Sequence, residues 1–313
     1  MKIVVIGASG HVGSYLVKEL VIDGHEVIAL MRGSRVPYGY NEKVWEKVKI
    51  VNMSREELYQ TDFIEQVNAD VICDLIAFDV DGVKKIISKI KNDAFYVQIG
   101  SIWMYENKEY VPVDEEHPKN AKQEYGKQKA LIEEFLLSKV KKGELRATVI
   151  HPGHVSGKEW QPINPQGNLD FNVFKKIKNG EKIVLPYDGL STLQHIHSYD
   201  LARIIIATIN KQAISNGQAF IAVAKKAMTL RAITEKLFSY FDKEPNIEYL
   251  EWQKFKDKVG DNNALVTLDH ISHSPCCTPN KAENILGVDI KYSIMDIYYE
   301  YIEEQKRLGN LSI

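Results

Sequence analysis

The 313-residue chain predicts an α/β fold: one doubly wound parallel sheet with a smaller C-terminal lobe. Three observations predict it. Short apolar runs alternate with helically spaced apolar residues through the first half of the chain. A glycine-rich turn follows the first run at once. Beyond residue 151 the alternation loosens, and most of the prolines and shorter elements lie there. Alternating strand and helix implies a parallel sheet covered on both faces, with right-handed crossovers.

The first apolar run, residues 3–6, reads as a strand. Val12, Leu16, Val17, Leu20 and Val21 then fit one helix face. Further strand-like runs lie at 27–30, 48–51, 71–75, 95–99 and 147–150. Val83, Ile86, Ile87 and Ile90 mark another helix face. Residues 123–142 read as one long helix, with Gly143 placed to end it. Residues 199–223 read as a helix and then a strand that returns to the main sheet. The expected division is 1–153 with 199–223 as one domain, and 154–198 with 224–313 as a discontinuous substrate lobe.

Composition narrows the function. A net charge of −2 offers no footprint for nucleic acid or an anionic membrane. No apolar stretch approaches the roughly 20 residues that span a bilayer. The apolar start is too short for a signal peptide, since the glycine turn stops it. Three cysteines, Cys73, Cys276 and Cys277, make no disulfide framework and fit a reducing, cytoplasmic setting.

Gly7-Ala8-Ser9-Gly10-His11-Val12-Gly13 lies between a strand and a helix. In that context the first glycine permits the turn. The second lets backbone approach a pyrophosphate, and the third lets the helix pack closely on the strand. The helix N-terminus then offers free N–H groups and a positive dipole end. Gly7, Ser9, Gly10, His11, Val12 and Gly13 are thus candidate contacts of a dinucleotide in a Rossmann-type domain. NAD sites usually carry an acid at the end of the second strand. Here the run is Leu30-Met31-Arg32-Gly33-Ser34-Arg35. Arg32, Ser34 and Arg35 suit a 2′-phosphate, so NADP is expected in preference to NAD.

Tyr125 and Lys129 are four apart on the long helix and share a face. A free tyrosine has a pKa near ~10 and serves poorly at neutral pH. A cation about 4 Å away, at an effective dielectric near ~20, is worth roughly 4 kcal/mol, or about 3 pKa units. Lys129, helped by an oxidised nicotinamide, is therefore expected to bring Tyr125 into range for acid/base work and to hold a cofactor ribose. Ser101 follows the fifth strand, where ligands bind in open parallel sheets, and can hydrogen-bond the reacting oxygen.

These pieces resemble the extended short-chain dehydrogenase/reductases, the group that includes nucleotide-sugar epimerases and dehydratases. The matching segments are GASGHVG at 7–13, ADVICDLIAF at 69–78, IGSIWMY at 99–105, YGKQKALIEEF at 125–135, HPGHVSG at 151–157 and HIHSYDLARII at 195–205. The resemblance implies Tyr125 as acid/base, Lys129 as its partner, Ser101 as the serine four before Tyr105, and Pro152 and Gly153 beside the nicotinamide. It also implies pairing of the helices near 79–91 and 123–142 in a homodimer. Two positions depart. Nucleotide-sugar members often carry Arg and Asn in the segment His151-Pro152-Gly153-His154. They often carry a diphosphate-gripping Arg where Leu193 stands here.

Other clusters read as ordinary structure. His270, His273, Cys276 and Cys277 lack the spacing of a zinc site and read as packing or a loop over the substrate pocket. His195 and His197 alternate about Ile196 and share a face, which suits satisfied buried histidines better than substrate contacts. Trp103 and Tyr105 suit pocket or core equally. The chain thus reads as an NAD(P)-dependent epimerase/dehydratase-like enzyme acting on a hydroxyl or ketone carbon of a small molecule, such as a sugar or sugar nucleotide. The alternatives are an NADPH-dependent carbonyl reductase of small ketones or aldehydes, and a non-catalytic NADP-binding regulator or RNA-associated protein.

Overall fold

The computed structural model describes residues 1–91, 93–106 and 108–311. Its centre is a seven-stranded sheet. The strands are β1 (Lys2–Ile6), β2 (Glu26–Met31), β3 (Lys49–Asn52), β4 (Val71–Asp74), β5 (Phe95–Ile99), β6 (Arg146–Pro152) and β7 (Ala219–Ala222). Their order across the sheet is β7-β6-β5-β4-β1-β2-β3, and every neighbouring pair is parallel. Each of the six strand runs read from the first half has its counterpart. The strand expected within 199–223 does return to the sheet, pairing Phe220 with Ile150.

Successive residues on a strand face opposite sides, and both sides here are buried. Ile3, Val5, Val27, Ala29, Cys73 and Val97 pack on Leu16, Val17 and Leu20 of α1 (His11–Ile22). Val4, Ile6, Ile28, Leu30, Ile72 and Tyr96 face the other way. They pack on Val83 and Ile86 of α2 (Val80–Ile87) and on Ile132 and Leu136 of α3 (Glu124–Lys141). Each such side chain, fully withdrawn from water, contributes about 1.5–3 kcal/mol. The long helix ends as expected. Lys142 caps it, Gly143 turns left-handed at φ +71°, and its N–H donates to Val140.

A second apolar core joins Phe174, Leu185, Leu193, Leu237, Phe238, Ile271, Tyr298 and Ile302. All come from beyond residue 151. Ala282, Leu286, Val288 and Ile290 do otherwise: they pack with the sheet core, although the sequence places them with the second lobe. Asp200, near the start of α4 (Ser198–Asn210), ties that segment down. It is fully buried and accepts the N–H groups of Lys291 and Tyr292 at 3.1 and 2.9 Å. No described helix is long and apolar enough to cross a membrane.

Candidate active site

Strand order reverses at β1, between β2 and β4, and ligands of open parallel sheets bind at such a switch point. A cavity of about 550 Å³ opens there, lined by Gly7, Gly10, Ser101, Tyr125, Lys129 and Pro152 among others. Helix α1 begins at its wall without a side-chain cap, so its first-turn N–H groups are free for an anion. The three glycines differ in what confines them. A Cβ on Gly13 would lie 2.5 Å from the Gly7 carbonyl oxygen and 2.6 Å from that of Ala8. One on Gly7 would meet Ile76 at 2.7 Å, with φ at +90°. One on Gly10 would meet only the Gly7 oxygen, at 3.3 Å. Open space over Gly10 beside free helix N–H groups fits a pyrophosphate. His11 and Val12 also line the cavity.

Three elements bring the expected catalytic set together. Ser101 leaves β5 and is 7 % exposed; its hydroxyl accepts the Trp103 N–H at 3.2 Å and caps a short 3₁₀ turn. That turn lies against the start of α3, because Gly126 has no Cβ; one there would be 2.5 Å from the Trp103 oxygen. Tyr125 stands edge-on to Trp103 at 5.9 Å. Its ring edge reaches solvent, 37 % exposed, while the residue lines the cavity. Lys129 is buried, and its ammonium donates to the carbonyls of Ala77 at 2.6 Å and Ile99 at 3.0 Å.

Lys129 is expected to depress Tyr125 with help from an oxidised nicotinamide. Burial pushes the tyrosine up, and a hydrogen bond from Ser101 offsets part of the rise. The Lys129 ammonium, bound to its two carbonyls, lies 5.4 Å from the Tyr125 ring centroid. Burial lowers Lys129 itself to about 8, with Asp74 opposing that fall and Arg55 adding to it. Asp74, at the end of β4, is fully buried. It takes two hydrogen bonds from Arg55, at 2.7 and 2.8 Å, and one from the Tyr96 hydroxyl at 2.7 Å. Sequence reading missed this pair, because nothing local links Arg55 to a strand end nineteen residues away.

The three residues expected to choose the cofactor are divided. Arg32, Ser34 and Arg35 line a second cavity of about 180 Å³ beside Ser9, Ser54 and Arg55. Arg35 also lays its guanidinium over the Trp160 ring, 3.3 Å from the centroid, so one face of it is occupied. Trp160 in turn meets His11 edge-on.

The far wall holds residues read as suiting pocket or packing, with Trp160 not singled out. Trp103, His154, Trp160 and His270 line the cavity. Burial, then the neighbouring His270, lowers His154 to about 3. Burial also lowers His11, His195 and His270, so this wall is uncharged at neutral pH. His270 and His273 belong to a helix, Asp261–His273, rather than to a loop; Cys276 and Cys277 follow it. Cys277 is buried, and no metal-holding group of side chains occurs among the described residues. His197 is a satisfied core histidine, its two ring nitrogens engaged by Glu300 and the Tyr199 N–H, whereas His195 is buried with Nδ1 unpaired. His195 Nε2 accepts the Ile163 N–H, while His197 stacks on Tyr292 at 3.8 Å. Leu193 is buried in the second core. Gly153 sits where a Cβ would be 2.3 Å from the Gln194 oxygen, so close packing alone requires glycine there.

Comparison with known proteins agrees with this geometry. Residues 3–222 match the NAD dependent epimerase/dehydratase family. A relative described as a putative UDP-glucose 4-epimerase of Methanocaldococcus jannaschii is 23 % identical over 230 residues, covering 66 % of this chain and 73 % of that one. Pal from Bacillus thuringiensis superposes with a TM-score of 0.76 at 19 % identity, over 98 % of this chain and 100 % of that one. The dTDP-glucose 4,6-dehydratase of Bacillus anthracis, solved with NAD, superposes with a TM-score of 0.76 at 18 % identity, over 99 % and 98 %. The chain belongs to the NAD-dependent epimerase/dehydratase family, within the extended short-chain dehydrogenase/reductases, and is an NAD(P)-dependent enzyme of that class.

Proposed function

We propose that the protein oxidises or reduces a hydroxyl or ketone carbon of a small molecule, a sugar or sugar nucleotide, as an epimerase or dehydratase does. One observation carries this reading. Ser101, from the end of β5, and Tyr125 and Lys129, from one face of α3, line the same cavity as the glycine loop. The dinucleotide, when bound, supplies the carrier for the hydride. Gly7, Ser9, Gly10, His11, Val12 and Gly13 would hold its phosphates at the start of α1, with Pro152 beside the nicotinamide. Lys129 would hold its ribose. Tyr125 takes the proton of the substrate hydroxyl, and Ser101 hydrogen-bonds the same oxygen. Phe78 and Trp103 also line the cavity.

For the cofactor we retain NADP, with Arg32 and Ser34 receiving the 2′-phosphate and Arg35 engaged by Trp160. Similar structures have been solved with NAD, so the titration below is decisive. The lobe formed by 154–198 and 224–313 supplies the substrate wall. Cytoplasmic residence and a homodimer through α2 and α3 complete the reading.

A second reading is reduction of a small ketone or aldehyde. It is favoured by the cavity lining, whose one Lys or Arg among the described residues is Lys129. The experiment is calorimetric titration with NADPH and NADH, followed by turnover assays on UDP-glucose and on simple ketones. Tyr125→Phe should abolish turnover and leave cofactor binding intact. Retained biological activity in that variant would instead support a non-catalytic regulator.

A further inference from the structure

Beneath Ser101 lies a buried group that the chemistry above does not use. His151, in β6, is fully buried. Its Nδ1 accepts the backbone N–H of Ser101 at 3.2 Å, which leaves the ring proton on Nε2. That Nε2 lies 2.6 Å from Glu133 Oε2, a close contact set off the axis of a hydrogen bond. Glu133 is itself buried and is paired by Lys119 on its other oxygen. Tyr125, Lys129 and Glu133 recur every four residues, so they share one face of α3. The ring fills the gap between strand and helix closely. A Cβ on Gly100 would sit 2.1 Å from Nδ1.

We propose that His151 is a positioning residue: one imidazole sets the separation of Ser101 and Tyr125 by holding the Ser101 amide on one edge and Glu133 of the tyrosine helix on the other. The proposal rests on the reading that Ser101 and Tyr125 act on one oxygen. The two residues belong to different elements, and a rigid spacer between those elements fixes their distance. Such spacing matters, because a displacement of about 1 Å costs on the order of 10²-fold in rate. The groups that face the ring are Glu133 from α3, Lys119 and Glu115 from the preceding loop, and Tyr105, whose ring is edge-on at 6.5 Å.

The test reads the linkage without needing a substrate. The full chain, saturated with the nucleotide it binds, is labelled at tyrosine Cζ and followed by NMR together with amide exchange. In His151→Phe the Ser101 amide loses its acceptor and should exchange about tenfold faster, as expected for one lost hydrogen bond. The Tyr125 Cζ signal should move, while the nucleotide dissociation constant stays within about twofold, well under the 1.4 kcal/mol that a tenfold change represents. His151→Asn, whose side-chain oxygen can stand in for Nδ1, should restore the Ser101 protection. If His151→Phe fails to fold, Glu133→Gln keeps the ring and should move the Tyr125 signal in the same direction. A folded His151→Phe with unchanged Ser101 exchange and Tyr125 signal overturns the proposal. So does an Asn variant no better than Phe, which would mean the ring only fills space. Turnover surviving Tyr125→Phe would sink the proposed chemistry but leave these signals as they are, so the two failures are distinguishable.

Discussion

Replacing the three loop glycines one at a time should separate packing from ligand approach. In Gly13→Ala the new Cβ meets three backbone atoms at 2.5, 2.6 and 2.7 Å, none of which can rotate away. Helix α1 must shift from β1, and overpacking of this kind costs about 1–3 kcal/mol. At roughly 2–4 °C per kcal/mol for a domain of this size class, the apo protein should melt about 2–12 °C lower. Gly10→Ala is different. Its Cβ meets one carbonyl at 3.3 Å, so the apo protein should lose no more than about 0.5 kcal/mol. The methyl group projects where the pyrophosphate must lie, however. Nucleotide affinity should fall at least tenfold, about 1.4 kcal/mol. The assays are thermal melting of stripped protein and calorimetric titration with NADH and NADPH. If Gly10→Ala melts as low as Gly13→Ala, or binds nucleotide as tightly as the parent, the argument is wrong.

Other outcomes follow from the same contacts. Arg55→Met strands the buried carboxylate of Asp74 and should cost about 3–5 kcal/mol by denaturant unfolding; a loss below about 1 kcal/mol would show that the pair carries little. Asp200→Ala leaves the Lys291 and Tyr292 N–H groups without their acceptor, so proteolysis near residue 290 should rise while the sheet stays protected. Burial would raise Glu133, but contacts with His151 and Lys119 hold it down at about 2. A carboxylate depressed in the folded state adds stability above its unfolded value near ~4.5 and loses it as pH falls towards 2. Acid titration of unfolding should therefore be shallower in Glu133→Gln over that window. Lys129 runs the other way. Burial holds its folded value near 8, below the unfolded 10.5, so its charged form weakens the apo fold below about pH 8 and the penalty fades by 10.5. Lys129→Met should flatten the rise in apo stability across that range.

Much of the sheet was legible because its signals are local. A strand buried on both faces is a short continuous apolar run, and most runs in the first half met that description; the edge strand β3, with Lys49 exposed, was read from Val48, Ile50 and Val51 instead. The glycine loop and the Tyr125–Lys129 spacing were legible for the same reason, since each depends on a few adjacent residues. What stayed hidden is made by distant segments. Arg55 finds Asp74, and Glu133 finds His151, only once the sheet has stacked β4, β5 and β6 side by side. His154 and His270 line one cavity although they lie 116 positions apart in the sequence. The carbonyl partners of Lys129 were not legible either. The free carbonyls of Ala77 and Ile99 claim the ammonium, and no side-chain pattern announces a carbonyl.

The return of β7 to the sheet also bears on how the protein is made. Until residues 219–222 emerge, the edge of β6 is open, and a bare parallel edge invites pairing with other chains. About 70 residues separate the two strands, and synthesis at roughly 5–20 residues per second leaves that edge bare for roughly 3–14 s. A nascent chain stalled between them would display the unpaired strand indefinitely. Ribosome pausing in this stretch, more than any weakness of the finished fold, is then the point at which aggregation during expression should begin.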